Sequence, residues 1–304
     1  MCDEHTAEDN ARFLSGVSRR EFGTMAAKAA GAAGLIAMLP APADALATSG
    51  RTVAITTPDG TADAYWVAPD KPSTYPGVLI WPDIMGLRPA FMLMANRLAQ
   101  SGYAVLCVNQ FYRSTKAPFL APGETYDQPA VREKIKPMVA ALSTEGTVRD
   151  AKAFTAFIDA QPQTDKRRGL ATTGYCMGGP MVFRTAAAVP GRVRAGATFH
   201  GGGLVTDKPD SPHLLIPGMK ASYLIAIAAN DDARSPDDKT MLKARFTKAK
   251  LPAEIEVYED TMHGWCPPDS RVYDLASAEK AWNRMLALFD RTLFDRTLFD
   301  RALI

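Results

Sequence analysis

Residues 169–179, Gly-Leu-Ala-Thr-Thr-Gly-Tyr-Cys-Met-Gly-Gly, carry the pattern that decides the fold. The run over 169–173 predicts a buried strand, and a helical pattern over 178–189 follows it almost at once. A tight turn between them lifts the side chain of Cys176 above the sheet, because small residues two before and two after it leave room for the backbone. This pattern predicts a nucleophile elbow with cysteine in the place of serine. The alternative is a glycine-rich turn around a buried structural cysteine.

Strands and helices alternate along the chain on both sides of this elbow. The predicted strands cover 52–57, 62–67, 77–81, 104–108, 169–173, 195–199, 222–229 and 253–258, and the predicted helices cover 90–100, 130–142, 147–160, 178–189, 237–248 and 275–290. Such alternation predicts a single, mostly parallel, doubly wound sheet flanked by helices. Together with the elbow it indicates the α/β-hydrolase fold. No linker divides residues 48–304, so we predict one domain there.

The partners that a reactive thiol needs follow the elbow in the chain. A base must take up its proton and a carboxylate must orient that base, and in this fold the chain order is nucleophile, acid, histidine. His263 follows the predicted strand 253–258 and fits the base. The acid is expected after strand 222–229, where we favour Asp232 over its neighbour Asp231. A structural histidine and a solvated loop acid are the alternatives.

His200 and Cys266 are further candidates near this site. His200 ends a predicted strand but precedes the acid, which is the wrong order for the base. We expect it at the rim of the site, as a substrate-contacting or packing residue. Cys266 comes three residues after His263 and could approach Cys176 to form a disulfide. The alternative, which we favour, is a packing cysteine.

The sequence resembles the dienelactone hydrolase family over most of its length, from about residue 52 to residue 288. The resemblance is carried by GYCMGG at 174–179, by Asp232 four residues before Pro236, by His263-Gly264 and by the segment 78–113. It implies a triad of Cys176, Asp232 and His263. It also implies an oxyanion hole formed by the backbone N–H groups of Ile84 and Met177.

The same resemblance suggests auxiliary residues. In the family, a glutamate in the loop after the first parallel strand contacts the resting thiol, and Asp83, one methylene shorter, stands at that position here. Arg132 is the counterpart of an arginine that binds the substrate carboxylate in the family, whereas Pro267 stands where the family has another. His200 and Trp265 complete the set of candidate substrate-binding or auxiliary residues.

The resemblance implies a hydrolase that cleaves a carboxylic ester or lactone through a thioester on Cys176, without a metal or an organic cofactor. Two alternatives remain open. Asp83 and Pro267 depart from the family, so a non-catalytic periplasmic protein that binds a small molecule could keep the same fold. A thioesterase or peptidase could use the same triad.

Residues 1–47 read as an export signal. A twin-arginine sequence, Ser-Arg-Arg-Glu-Phe at 18–22, precedes an apolar run over 25–39 and the small-x-small sequence Ala-Leu-Ala at 45–47. This order predicts a bacterial twin-arginine (Tat) signal peptide, with the Tat machinery and a signal peptidase as partners. The mature protein would begin near Thr48, in the periplasm or outside the cell, without a stable membrane span. An alanine-rich helix or an uncleaved anchor is the alternative.

The charge and composition exclude some other classes of function. A net charge of +2 over 304 residues gives no basic field for nucleic acid, and the four histidines form no cluster with metal-ligand spacing. At the C-terminus, Phe-Asp-Arg-Thr-Leu at 289–293 recurs at 294–298 and, as Phe-Asp-Arg-Ala-Leu, at 299–303. We predict that this repeat extends the last helix and has no chemical role.

Overall fold

The computed structural model describes residues 6, 8–10, 12–13 and 39–294. The twin-arginine sequence and nearly all of the apolar run that follows it lie outside these residues, as do the last two copies of the C-terminal repeat apart from Phe294. Within the described ranges, no helix is both long enough and apolar enough to cross a lipid bilayer.

In this part of the chain the fold is built on one eight-stranded sheet. Its strands are β1 (Thr48–Thr57), β2 (Gly60–Pro69), β3 (Gly77–Trp81), β4 (Ala104–Val108), β5 (Leu170–Tyr175), β6 (Val193–Phe199), β7 (Ser222–Ala228) and β8 (Ala253–Tyr258). Their order across the sheet is β1-β2-β4-β3-β5-β6-β7-β8. The β1–β2 and β2–β4 pairs are antiparallel, and β3 to β8 pair in parallel. The mostly parallel sheet predicted from the alternation is confirmed.

Helices cover both faces of the sheet. They are α1 (Pro89–Gln100), α2 (Pro129–Ala140), α3 (Thr144–Ala160), α4 (Gly178–Ala188), α5 (Ala229–Arg234), α6 (Asp238–Ala249) and α7 (Leu275–Leu293), with a 3-10 helix at Pro212–Gly218. One hydrophobic cluster, with Phe91 of α1 and Met285 of α7, fills one face. A second, with Phe154 of α3 and Val182 of α4, fills the other. This two-layered covering is the predicted α/β-hydrolase arrangement.

The direction of the chain's progress across the sheet reverses between β3 and β5. Helix α1 carries the chain from β3 toward β4, whereas α4 carries it from β5 toward β6, on the opposite side. At such a switch point the loops at the carboxyl ends of neighbouring strands diverge and open a crevice. The loop at 82–88, after β3, and the elbow after β5 therefore meet at one edge of the sheet.

Two short elements are not anticipated by the sequence pattern. None of the residues of α5 is buried, so this helix leaves no apolar stripe in the sequence. The 3-10 helix contains two prolines, which interrupt any helical pattern. The predicted strand 222–229 ends one residue early, at Ala228, because α5 begins at Ala229. Helix α7 extends through Leu293, so the first copy of the C-terminal repeat is helical.

Candidate active site

Cys176 lies in a strained turn between β5 and α4. Its φ of 53° falls in the left-handed region, which residues other than glycine seldom adopt. The residue is 1% exposed. The turn is possible because the residues two before and two after Cys176 are glycines. A side chain at Gly174 would collide with the carbonyl of Gly178, and one at Gly178 would collide with the carbonyl of Trp81. The strand–turn–helix geometry predicted for a nucleophile elbow is therefore present.

His263 lies between Cys176 and a carboxylate. Its Nδ1 donates to Asp231, at 2.8 Å from Oδ2 and 3.0 Å from Oδ1, and a second side-chain hydrogen bond joins its ring to Cys176. The main-chain N–H of His263 also donates to Asn230 Oδ1 at 2.8 Å, which fixes the backbone of the His263 loop against α5. The base expected from chain order is thus within hydrogen-bond reach of both the thiol and an acid.

The charges around His263 favour a cationic imidazole. Burial lowers the pKa of His263, but the negative charges of Asp231 and Cys176 outweigh burial and raise it from 6.5 to about 10. The interaction is reciprocal, so a cationic His263 favours the thiolate form of Cys176. A thiolate is the nucleophilic form of cysteine, and the site holds its partner charge in contact.

The prediction that Asp232 is the acid is wrong. Both of its carboxylate oxygens instead accept from Lys239 Nζ at 2.6 Å, whereas Asp231 binds His263. The physical reason is α5. Neighbouring residues in a helix point about 100° apart, so only one of the two aspartates faces the imidazole. The alternative left open at the sequence level, Asp231, is the one that the structure selects.

Ile84 and Met177, the expected oxyanion-hole residues, lie on either side of the crevice. Met177 is the N-cap residue of α4, and Ile84 belongs to the loop after β3. That loop passes against the first turn of α4, since a side chain at Gly178 would meet the carbonyl oxygens of Trp81 and Pro82. Both residues pack in the same hydrophobic cluster as Cys176. The geometry therefore brings the two segments together at the thiol.

The carboxylate of Asp83 is held by Arg88 of the same loop. Its carboxylate accepts from Arg88 at 2.7 and 3.0 Å, and Arg88 also donates to Asp269 at 2.6 and 2.9 Å. Burial raises the pKa of Asp83, Arg88 opposes that rise, and the nearby charge of Cys176 adds to it. Asp83 is thus close enough to the thiol to interact with its charge, while Arg88 takes up its oxygens. The sequence does not single out Arg88 as a site residue, because the need for a cation arises only from the burial of Asp83.

His200 is fully buried against His263, not at the rim as expected. Its ring centroid lies 4.9 Å from that of His263 and 5.2 Å from that of Trp265, in edge-to-face contacts. Neither ring nitrogen of His200 has a hydrogen-bond partner among the described residues. Burial and the charge of His263 lower the pKa of His200 well below its usual value, so this ring is neutral. Trp265 in turn stacks on Tyr258, at 5.3 Å between centroids.

Arg132 and Cys266 make other contacts. Arg132 donates through Nη1 to the backbone carbonyls of Asp127 and Tyr126 at 2.6 and 3.3 Å, which holds its guanidinium against the loop before α2. Cys266 is a free, buried thiol whose pKa is raised well above the usual value by burial. It packs in the hydrophobic cluster on the opposite face of the sheet from that of Cys176. This is the packing cysteine that we favoured.

The arrangement is suited to acyl transfer. A thiol, an imidazole and a carboxylate lie in one line, and the loop after β3 passes against the first turn of the helix that follows the thiol. Among the residues that the structure describes, no group of three or more histidine, cysteine or carboxylate side chains is arranged to hold a metal ion.

Comparison with known proteins places this geometry in context. A family model described as the dienelactone hydrolase family matches residues 62–293. A putative carboxymethylenebutenolidase of Synechocystis sp. is 24% identical over 248 residues, which cover 80% of this chain and 98% of the relative. The carboxymethylenebutenolidase of Pseudomonas putida is 24% identical over 211 residues, which cover 69% and 84%.

Solved structures share the fold. The chain is similar to the crystal structure of a putative dienelactone hydrolase from Klebsiella pneumoniae, with a TM-score of 0.69, 24% identity, and coverage of 80% of this chain and 98% of that one. It is also similar to a dienelactone-hydrolase-like promiscuous phosphotriesterase from metagenomic libraries, with a TM-score of 0.65, 21% identity, and coverage of 81% and 99%. At these identities the likeness extends to the fold alone.

Proposed function

The chain belongs to the dienelactone hydrolase family and is a hydrolase of ester or lactone bonds; from this premise we propose that it acts through a thioester formed on Cys176. The observation that carries the proposal is the line from Cys176 through His263 to Asp231, at the carboxyl edge of a mostly parallel sheet. The neutral His200 beside it supports the same assignment, since only His263 has both a carboxylate and the thiol as partners among the described residues.

The first half of the reaction forms the thioester. The Cys176 thiolate attacks the carbonyl carbon, and the carbonyl electron pair moves onto oxygen, where the amides of Ile84 and Met177 stabilise it. The tetrahedral intermediate then collapses. The alkoxide leaves and takes the proton from the His263 imidazolium, while Asp231 keeps the ring in position.

The second half releases the acid. The now neutral His263 removes a proton from water, and the hydroxide attacks the thioester carbonyl within the same oxyanion hole. Collapse breaks the C–S bond and regenerates the thiolate beside a protonated imidazole. The cycle consumes one water, returns every proton and needs no oxidant or reductant.

The substrate class follows from the relatives. The Synechocystis and Pseudomonas putida relatives are a putative carboxymethylenebutenolidase and a carboxymethylenebutenolidase, and we propose a carboxylic ester or lactone for this chain by that likeness. The family arginines that bind the dienelactone carboxylate have one counterpart in Arg132 and none at Pro267. The reaction class is therefore transferred to this chain, and dienelactone itself is not.

Export is part of the proposal. The twin-arginine sequence at 18–22, the apolar run at 25–39 and the small residues at 45–47 support a Tat signal peptide. β1 begins at Thr48, so cleavage after Ala47 would remove no strand residue. We propose that the mature protein acts in the periplasm or outside the cell.

Replacement of the nucleophile tests the chemistry. Cys176→Ala should lower kcat/KM for p-nitrophenyl acetate by roughly 10³-fold or more, because it removes the sulfur on which the acyl intermediate forms. Cys266→Ala is the matched control, since it removes another buried thiol, one that packs on the opposite face of the sheet, and it should keep turnover within about twofold of wild type. Circular dichroism would check folding. Retained turnover in folded Cys176→Ala protein would refute the proposal.

A further inference from the structure

A cleft of about 420 Å³ runs beside the site along α4. One helix face forms its floor, because Met177, Pro180, Met181 and Arg184 recur at the spacing i, i+3, i+4 and i+7. The loop after β6 and the segment at 139–145 form its walls. The cleft therefore begins at the residue whose amide we assign to the oxyanion hole.

Arg184 brings a positive charge into this cleft without a close acidic partner. Its side chain is 17% exposed, and the Oδ2 of Asp210 lies 3.9 Å from its Nη2. The Nε–H of Arg184 is buried and has no hydrogen-bond partner within the part of the chain that the structure describes. Asp210 instead accepts from Thr144 Oγ1 at 2.6 Å, so its carboxylate is already engaged.

Other arginines of comparable burial are paired closely. Arg88, Arg97, Arg113 and Arg192 expose between 8% and 24% of their side chains, and each lies no more than 2.7 Å from a carboxylate oxygen. A half-buried charge whose nearest carboxylate oxygen is 3.9 Å away is only weakly compensated, which costs free energy. Arg184 bears that cost in a cleft next to the nucleophile, where an arriving anion would remove it.

The other charged side chains of the cleft do not neutralise Arg184 closely. Lys208, Glu145 and Asp210 also line the cleft, and all three are exposed at its rim. Arg184 alone of these four is half-buried. Burial lowers the pKa of Arg184, yet a guanidinium remains protonated at neutral pH. The cleft therefore has a cationic floor below a rim of mixed charge.

We propose that Arg184 binds a carboxylate on the substrate, so that the preferred ester carries a carboxylate several bonds from its scissile carbonyl. This inference rests on the proposed hydrolysis and adds a specificity-determining residue to it. The Arg184 side chain is 17% exposed, and a planar guanidinium can present two parallel N–H groups to a carboxylate. Val139, Leu142 and Met181 line the cleft and offer apolar contact to the chain in between.

The geometry sets the length of that chain. Met177 and Arg184 are two helical turns apart, a rise of about 10 Å. Helical side chains lean toward the N-terminus, so the guanidinium lies closer to the oxyanion hole than this. At roughly 1.2 Å per bond of extended chain, an acyl group of about six to eight carbons spans the gap.

The test compares two p-nitrophenyl esters of equal acyl length, the monoester of suberic acid and the octanoate, on the full-length chain. Arg184→Met should lower kcat/KM for the suberate monoester roughly 10- to 100-fold, as loss of a charge-assisted pair does, and leave the octanoate within about twofold. Arg184→Lys keeps the charge without the fork and should fall in between. Asp210→Asn removes a competing carboxylate and should raise kcat/KM for the suberate monoester.

Arg194→Met is the matched control, because Arg194 is an exposed arginine near the start of β6, at the end of the strand away from the site. It should change neither rate. An unchanged ratio of the two rates in Arg184→Met would overturn the proposal. If the wild type hydrolyses neither ester, the proposed function fails separately, and calorimetry with suberate then decides. Binding that Arg184→Met abolishes supports the subsite, and no binding to wild type overturns it.

Discussion

Two buried lines of charge lie at the same edge of the sheet, and they are connected differently. In one, Arg88 lies between Asp83 and Asp269 and donates two hydrogen bonds to each carboxylate. In the other, His263 binds Asp231 on one side and the thiol of Cys176 on the other. The Arg88 line ends in carboxylates at both ends, whereas the His263 line ends in a nucleophile.

The difference indicates a structural role for Arg88 and a chemical role for His263. Arg88 joins the loop at 82–88 to the segment that follows His263, so it holds two sides of the crevice in register. All of its charge is matched by carboxylates, which leaves nothing for a substrate. The His263 line has a strained residue, Cys176, at its open end and an unpaired neutral ring, His200, beside it. Strain and unpaired buried groups are typical of functional sites.

The two neighbouring aspartates of α5 should differ strongly in their effect on turnover. Asp231→Asn should lower kcat/KM by roughly 10³-fold, because the imidazole loses the carboxylate that orients it and stabilises its charge. Asp232→Asn is the matched control. It removes a partly exposed pair with Lys239 and should stay within about twofold of wild type. Equal losses in the two variants, or a loss confined to Asp232→Asn, would contradict the assignment of Asp231.

The same variant carries a pH signature. Although burial lowers the pKa of His263, its anionic partners raise it from 6.5 to about 10 in the folded protein. The stability that comes from the His263–Asp231 pair is therefore fully present below about pH 6.5 and is lost as the pH rises through about 10. Urea unfolding should show the gap between wild type and Asp231→Asn shrinking over that range. A gap that widens with pH would be inconsistent with a cationic His263.

Removal of the arginine between the two carboxylates tests the other line. Arg88→Met should lower the free energy of unfolding by about 3–5 kcal/mol, since it leaves the buried carboxylate of Asp83 and the partly buried one of Asp269 without their cation. Arg149→Met removes an arginine that pairs with Asp59 at 2.7 Å but is 44% exposed, so its cost should stay below about 1 kcal/mol. Denaturant unfolding measures both values. Similar small losses would show that the Arg88 line is not the support described here.

The sequence predicts the parts of this site that local pattern determines. The elbow around Cys176 is a contiguous strand–turn–helix signal, and the position of His263 follows from chain order and one strand end. The choice between Asp231 and Asp232 depends on the helical phase of α5, whose residues carry no apolar stripe. Hence the sequence could not settle it.

Contacts between residues far apart in the sequence determine the remaining parts of the site. Arg88 meets Asp269 across 181 residues of sequence, and the cleft at Arg184 is assembled from three separate segments. Neither leaves a periodic signal, because each depends on which loops the strand order brings together. The mostly parallel sheet itself was predictable, since buried strands and amphipathic helices alternate along the chain.

The proposed thioester on Cys176 can be observed directly. The full-length protein would be mixed with p-nitrophenyl acetate, quenched in acid within the burst phase and digested for peptide mass spectrometry. We expect an acetyl adduct on the peptide that contains Cys176, lost on treatment with hydroxylamine and absent from Cys176→Ala. Turnover without an adduct at Cys176, or an adduct on another side chain, would contradict the account.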